Sequence, residues 1–122
     1  MNRKGEAGEE TARKFLEKKG YRVVSANYRS RFGEIDIIVQ NEKYIVFVEV
    51  KARSEGAIAR PMEFVDVPKQ KRIIKTALLF LSSHPTPLQP RFDVVEVYGQ
   101  GRKPVVNHLE NAFGTEGGYA AF

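Results

Sequence analysis

The sequence contains no cysteine. That excludes disulfides, thiolate metal centres and cysteine nucleophiles. Small secreted domains usually depend on such cross-links, so the expected compartment is the cytoplasm. No apolar run approaches the roughly 20 residues that span a bilayer. The first ten residues, MNRKGEAGEE, are too polar for a signal peptide. No membrane partner is therefore expected. There are only two histidines, His84 in a proline-containing stretch and His108 near the chain's end. Neither has a partner at ligand spacing, which argues against a histidine-based metal site. There is no GxxxxGK[ST] sequence, so nothing points to ATP-driven work. Internal repeats and low-complexity tracts are also absent.

What is present reads as one folded domain over residues 1–122, with a core at about 5–112 and a tail at 113–122. Apolar residues make up 42% and charged residues 29%, the balance of a globular chain rather than a disordered one. Lys and Arg number 20 against 15 Asp and Glu, giving net +5 and a pI near 9.6. The excess is concentrated in residues 1–31 and 51–75. A basic domain of this size points to a polyanionic partner, nucleic acid first among them.

Periodicity predicts a helix from Gly5 to Lys19, with Ala12, Phe15, Leu16 and Lys19 at helical spacing and Gly20 as its stop. YRVVSANYR reads as a strand that loses its pattern near Ala26 and Asn27. GEIDIIVQ and KYIVFVEVK are two further strands joined by a polar turn around Asn41 and Glu42. ARSEGAIARP reads as a loop. Asp66 is a suitable N-cap for a second helix, Pro68 suits its first turn, and Ile73, Ile74, Ala77, Leu78 and Leu81 form its stripe. RFDVVEVYG and VVNHLE complete the set as strands, and NAFGTEGGYAAF has no evident pattern. The order α-β-β-β-α-β-β predicts an α/β fold, a mixed β-sheet flanked by helices.

Three charged residues interrupt the most strand-like stretch: Asp36, Glu49 and Lys51. Alternation places Glu49 and Lys51 on one face of their strand. A two-residue turn at Asn41–Glu42 would pair Asp36 with Phe47 and leave Glu49 diagonal to it. A four-residue turn would set Asp36 opposite Glu49. Either brings two carboxylates within about 5–8 Å of each other. They repel unless a cation lies between them, and Lys51 or a divalent ion could serve. Oxygen-only ligands suit Mg²⁺ or Mn²⁺ better than Zn²⁺. A solvated edge hairpin with a surface ion pair would account for the same residues without any chemistry. On the first helix, Glu9 lies closest to the buried stripe and is the acid expected to reach the sheet. On the second, Gln70 is ringed by Lys69, Lys71, Arg72 and Lys75, which suits contact with a phosphate backbone.

Asp36 followed by Glu49-Val50-Lys51 resembles the D…(D/E)xK signature of restriction-endonuclease-like nucleases, and the element order is similar to that of archaeal Holliday-junction resolvases. More specifically, GEAGEETARKFLEKKGYRVV, Asn27, RFGEIDII, VFVEVKAR and RFDVVEV resemble the YraN family of bacterial proteins. The resemblance implies a Mg²⁺-dependent nuclease fold. Glu9, Asp36, Glu49 and Lys51 match the resolvase-type site, and Gln70 matches it more loosely. It implies a metal held by Asp36, Glu49, the Val50 carbonyl and Glu9, with Lys51 beside the attacking water. The implied products are a 5′-phosphate and a 3′-hydroxyl. Cutting two strands of a junction would need two sites, which a homodimer would provide. Two other functions fit the same residues: a catalytically silent nucleic-acid-binding module of this fold, and an interaction scaffold that uses the sheet edge.

Overall fold

The computed structural model describes residues 3–53, 65–99 and 103–114. Seven elements follow in the expected order: α1 (Arg3–Lys18), β1 (Arg22–Ser30), β2 (Gly33–Gln40), β3 (Tyr44–Arg53), α2 (Val67–Ser83), β4 (Gln89–Tyr98) and β5 (Val105–Phe113). The strands form one sheet in sequential order. β3 and β4 are parallel, and the other neighbours are antiparallel. The parallel pair requires a crossover, and α2 lies within it. The result is the α/β mixed sheet expected from the sequence.

The two helices lie on opposite faces, as strand alternation requires. Ala12 and Leu16 of α1 pack on Ile37, Val39, Val46, Val48, Val95 and Val97. Ile73, Ile74, Ala77 and Phe80 of α2 pack on Ile38, Ile45, Phe47, Phe92 and Val94. Gly8 lets α1 lie close to β3. A Cβ at that position would stand 3.3 Å from the Ala52 Cβ, tighter than most real contacts.

Both inner helix ends are set by local chemistry. Gly20, at φ 103°, closes α1, with Gly20 N–H donating to the Glu17 carbonyl and Tyr21 N–H to the Leu16 carbonyl. Lys19 therefore falls outside the helix and is exposed, not part of the buried stripe. Asp66 caps α2 by accepting from Lys69 N–H at 2.9 Å, and Pro68 sits in the first turn.

Asn41 builds the β2–β3 turn, its side chain accepting from the Lys43 and Tyr44 N–H groups. The pairing Gln40↔Ile45 makes it the four-residue turn. β5 runs on through Asn111–Phe113, beyond the strand expected at VVNHLE. The expected loop after Arg53 and the tail beyond Gly114 lie outside the described residues. No helix among the described residues is long and apolar enough to cross a membrane.

Candidate active site

The site forms where regular pairing breaks. Between β1 and β2 the registered pairs step from Ala26↔Ile37 to Tyr28↔Ile35, over Asn27 and Asp36. Asn27 has φ 54°, a left-handed conformation that asparagine tolerates better than most residues. Alternation breaks with it. Ile35 enters the core beneath α2, whereas Ile37, two residues on, enters the core beneath α1. The expected loss of pattern at Ala26–Asn27 is thus a kink within a continuous strand. Asp36 lies at the kink.

The β2–β3 pairing ends nearby, at Ile37↔Val48, so the next position would oppose Asp36 and Glu49. Asp36 instead reaches across to β3. Its Oδ2 accepts the Val50 N–H at 2.8 Å, replacing a backbone acceptor of the ladder. Glu49 is 5% exposed. Its Oε2 lies 2.6 Å from Lys69 Nζ on α2 and 3.8 Å from Lys51 Nζ on its own strand. Glu9 approaches from α1, and with Glu6, Glu10, Arg13, Ala26, Asn27, Asp36 and Ile37 it lines a cleft of about 270 Å³.

The electrostatics follow from crowding. Burial, and then the charge of Glu49, push the Asp36 carboxyl up to about 7; Glu9 adds to the rise, while the Val50 N–H and Lys69 oppose it. Glu9 is also raised, by burial first and by the charge of Glu34 next. Hydrogen bonds with Asn27 and Asp36 pull it back. These acids are short of positive charge even with two lysines at Glu49.

That shortage bears on whether a metal fits. Among the described residues, no group of three or more carboxylates or histidines is placed to hold an ion. Asp36, Glu49 and the carbonyl of Val50 supply hard oxygen donors, of which two are anionic. Mg²⁺ commonly binds through one or two carboxylates and keeps several waters. The donor set fits Mg²⁺ or Mn²⁺ on those terms and offers nothing that would favour Zn²⁺.

The profile of the Uncharacterised protein family UPF0102 matches residues 8–97. The chain belongs to this family. It is the YraN family that the sequence motifs resembled. The chain is 43% identical over 113 residues to a UPF0102 protein of Caldanaerobacter subterraneus, covering 89% of this chain and 93% of the relative. It is 46% identical over 117 residues to one from Alkaliphilus oremlandii, 93% of this chain and all of the relative. A UPF0102 protein of Acinetobacter baumannii is 45% identical over 93 residues, 75% of this chain and 70% of the relative.

Within this UPF0102 chain the remaining expected residues are distributed unevenly. Gln70 donates from Nε2 to the Val65 carbonyl at 3.0 Å, at the entry of α2. Lys71, Arg72 and Lys75 are exposed on α2. Lys69, expected at a phosphate, lies 2.6 Å from Glu49 Oε2 as its counter-charge.

Sequence reasoning did not assign Asn27 and Glu34 to the site. With its amide nitrogen turned toward the acids, Asn27 donates to Glu9 Oε1 at 3.2 Å and to Glu34 Oε2 at 3.1 Å. Glu34 also meets Arg29 Nε at 3.3 Å. The sequence signals for Asn27 were the lost strand pattern around it and its place among the residues that resemble the YraN family.

A second polar cluster lies between β4 and β5. Asp93, fully buried, accepts from Arg91 Nε and Nη2, from the Asn111 N–H, and pairs with His108 Nε2 at 2.7 Å. His108 therefore has a partner that its sequence position did not suggest. That partner is a carboxylate spanning a break in the strand register.

Proposed function

We propose that this protein is a metal-dependent nuclease that hydrolyses phosphodiester bonds in nucleic acid, with branched or structured DNA as its substrate and Mg²⁺ or Mn²⁺ as its cofactor. The observation that supports this most is the meeting of Asp36 and Glu49 at the end of a β-ladder, with Lys51 at 3.8 Å on the same carboxylate and Glu9 facing Asp36. Burying two acids together without full neutralisation is unfavourable for folding, and such sites tend to be functional.

Asp36, Glu49 and the Val50 carbonyl would hold the ion. When bound, it lowers the pKa of water and polarises the scissile phosphate. Glu9, positioned by Asn27, adds a third acid that can act on the ion's water shell. Lys51 orients the attacking water and offsets negative charge as it develops on the phosphate. Lys71, Arg72 and Lys75 hold the phosphate backbone along α2. Lys69 joins them when released from Glu49, and a metal ion would compete with it for that carboxylate.

One observation favours a second reading. Lys69 at 2.6 Å neutralises Glu49 without any metal, an arrangement that suits a nucleic-acid-binding module that does not cut. The two separate in a cleavage panel of junction, flap, nicked, linear and single-stranded DNA and of RNA, run with Mg²⁺, Mn²⁺ or chelator beside a Lys51→Ala control. The nuclease reading expects metal-dependent cutting that the control lacks. No cutting of any substrate with either metal would refute it.

A further inference from the structure

Away from the carboxylates, the turn joining β1 to β2 carries an aromatic ring that neither core uses. Phe32 is half-buried, and both core clusters are built without it. Two cations lie over the ring, and a stacked base would take their place while they turn to its phosphates. The Arg31 guanidinium lies 5.0 Å from its centroid and the Lys75 ammonium 5.5 Å. Both of these side chains are exposed.

The turn does not need the ring to hold its shape. Ser30 Oγ receives the Phe32 N–H at 3.0 Å and bonds Thr76 Oγ1 at 2.9 Å, and Thr76 Oγ1 donates to the Arg72 carbonyl at 2.9 Å. Gly33 lies against α2, where a Cβ would meet the Arg72 Cβ at an ordinary 3.5 Å. Polar bonds thus fasten the turn to α2 without the ring, which the exposed, flexible side chains of Arg31 and Lys75 cover.

Its placement relates it to the carboxylates. Lys69 meets Glu49, and Lys75 meets Phe32. The two lysines are six helical positions apart, roughly 9 Å along the axis. That is about two to three stacked nucleotide steps at 3.4 Å each. A strand whose phosphates follow the basic residues of α2 would carry a base to Phe32.

We infer that Phe32, flanked by Arg31 and Lys75, is a stacking platform for an unpaired nucleobase of the strand held along α2. Aromatic rings bind bases through their faces, and flanking cations hold the adjoining phosphates. In a continuous duplex both faces of each base are covered by its neighbours. The platform therefore selects nucleic acid with splayed or single-stranded nucleotides beside the site, which narrows the proposed substrate. The inference rests on the nucleic-acid-binding part of the proposed function and is independent of cleavage.

The test uses the full chain in chelator, so that nothing is cut. The sequence has no tryptophan, so Phe32→Trp introduces a single reporter. A short oligothymidylate should quench its fluorescence, and an abasic strand of the same length and charge should not. Phe32→Leu keeps the bulk and the Ser30–Thr76 fastening. It should bind oligothymidylate about fivefold to a hundredfold more weakly than the parent, with blunt-duplex affinity unchanged within about twofold. If the leucine variant binds oligothymidylate like the parent, or both strands quench the tryptophan equally, the inference is overturned while the nuclease reading stands. If the parent binds neither strand nor duplex, both are overturned.

Discussion

Replacing Asp36 by asparagine should stabilise the metal-free protein, and the gain should depend on pH. The side chain keeps its shape and an oxygen able to accept the Val50 N–H, while its charge is removed. In the native protein the carboxyl is raised from 3.8 to about 7, by burial first and Glu49 second. Each unit corresponds to about 1.4 kcal/mol, so ionising Asp36 in the folded state costs about 4 kcal/mol. The unfolded chain ionises near 3.8, so between that value and about 7 the native state binds the extra proton. Parent stability therefore falls as pH rises through this window and levels off above it. The variant lacks this loss. Its advantage should be absent near pH 4 and should approach 4 kcal/mol at pH 8, less whatever the amide's N–H₂ loses beside Glu9. With an m-value of about 2 kcal/mol/M, the urea midpoint in chelator should rise by up to roughly 2 M at pH 8. Divalent ion should reverse the order. At a hundred times its Kd, Mg²⁺ should add about 2.7 kcal/mol to the parent and much less to the variant. Urea titrations at pH 4, 6 and 8, with chelator or Mg²⁺, read both effects. A variant less stable than the parent at every pH, with no Mg²⁺ effect on the parent, would refute the reasoning and make Asp36 a purely structural cap for β3.

Three other outcomes follow from the geometry. Neutralising Lys71, Arg72 or Lys75 singly should weaken binding to all sequences and lower the salt slope by about 0.9 per lost phosphate contact, measured by filter binding at several salt concentrations. Glu49→Gln and Lys51→Ala should abolish cleavage yet leave binding near that of the parent, because they act on the transition state; parallel binding and cleavage assays would show it. Asp93→Asn should destabilise the fold by about 3–5 kcal/mol in urea at neutral pH, since it removes the fully buried carboxylate that the partly buried Arg91 pairs with. For Asp93, burial pushes the carboxyl up, but the bonds from His108, Arg91 and the Asn111 N–H outweigh it and hold it below its ordinary value. Its contribution is thus present above about pH 4 and lost as pH falls through the lowered folded value, so parent and variant should converge in acid.

The parts of this fold that were legible in the sequence are those fixed by neighbours along the chain. Gly20 ends α1, and Asp66 with Pro68 begins α2, because caps act within a turn. The β2–β3 register was not legible in this way. Asn41–Glu42 lacks the glycine that marks a two-residue hairpin turn, and the longer turn depends on the Asn41 side chain folding back on two N–H groups. Lys69 and Lys71 could not be told apart from spacing, since helical position does not say which strand lies opposite. His108 looked isolated because its partner is on the neighbouring strand, across a shift in register.

Two aspartates in this sheet have the same local architecture and opposite surroundings. Asp36 accepts a strand N–H where the β2–β3 ladder ends, beside Asn27 at φ 54°. Asp93 accepts the N–H of Asn111, also at φ 54°, where the β4–β5 register shifts. Each carboxylate satisfies a backbone group that the break would leave unpaired. The neighbours differ. Asp93 has Arg91 and His108, and its carboxyl is lowered. Asp36 has Glu49 and Glu9, which add to burial and raise its carboxyl to about 7 against the opposing Val50 N–H and Lys69. A carboxylate needed only to cap a strand is more stable among cations, as Asp93 is. Placing other acids around Asp36 makes the fold less stable than it could be, and capping gives no reason for it. A ligand carrying positive charge would, which supports the proposed site at Asp36 and Glu49 and leaves Asp93 as part of the frame.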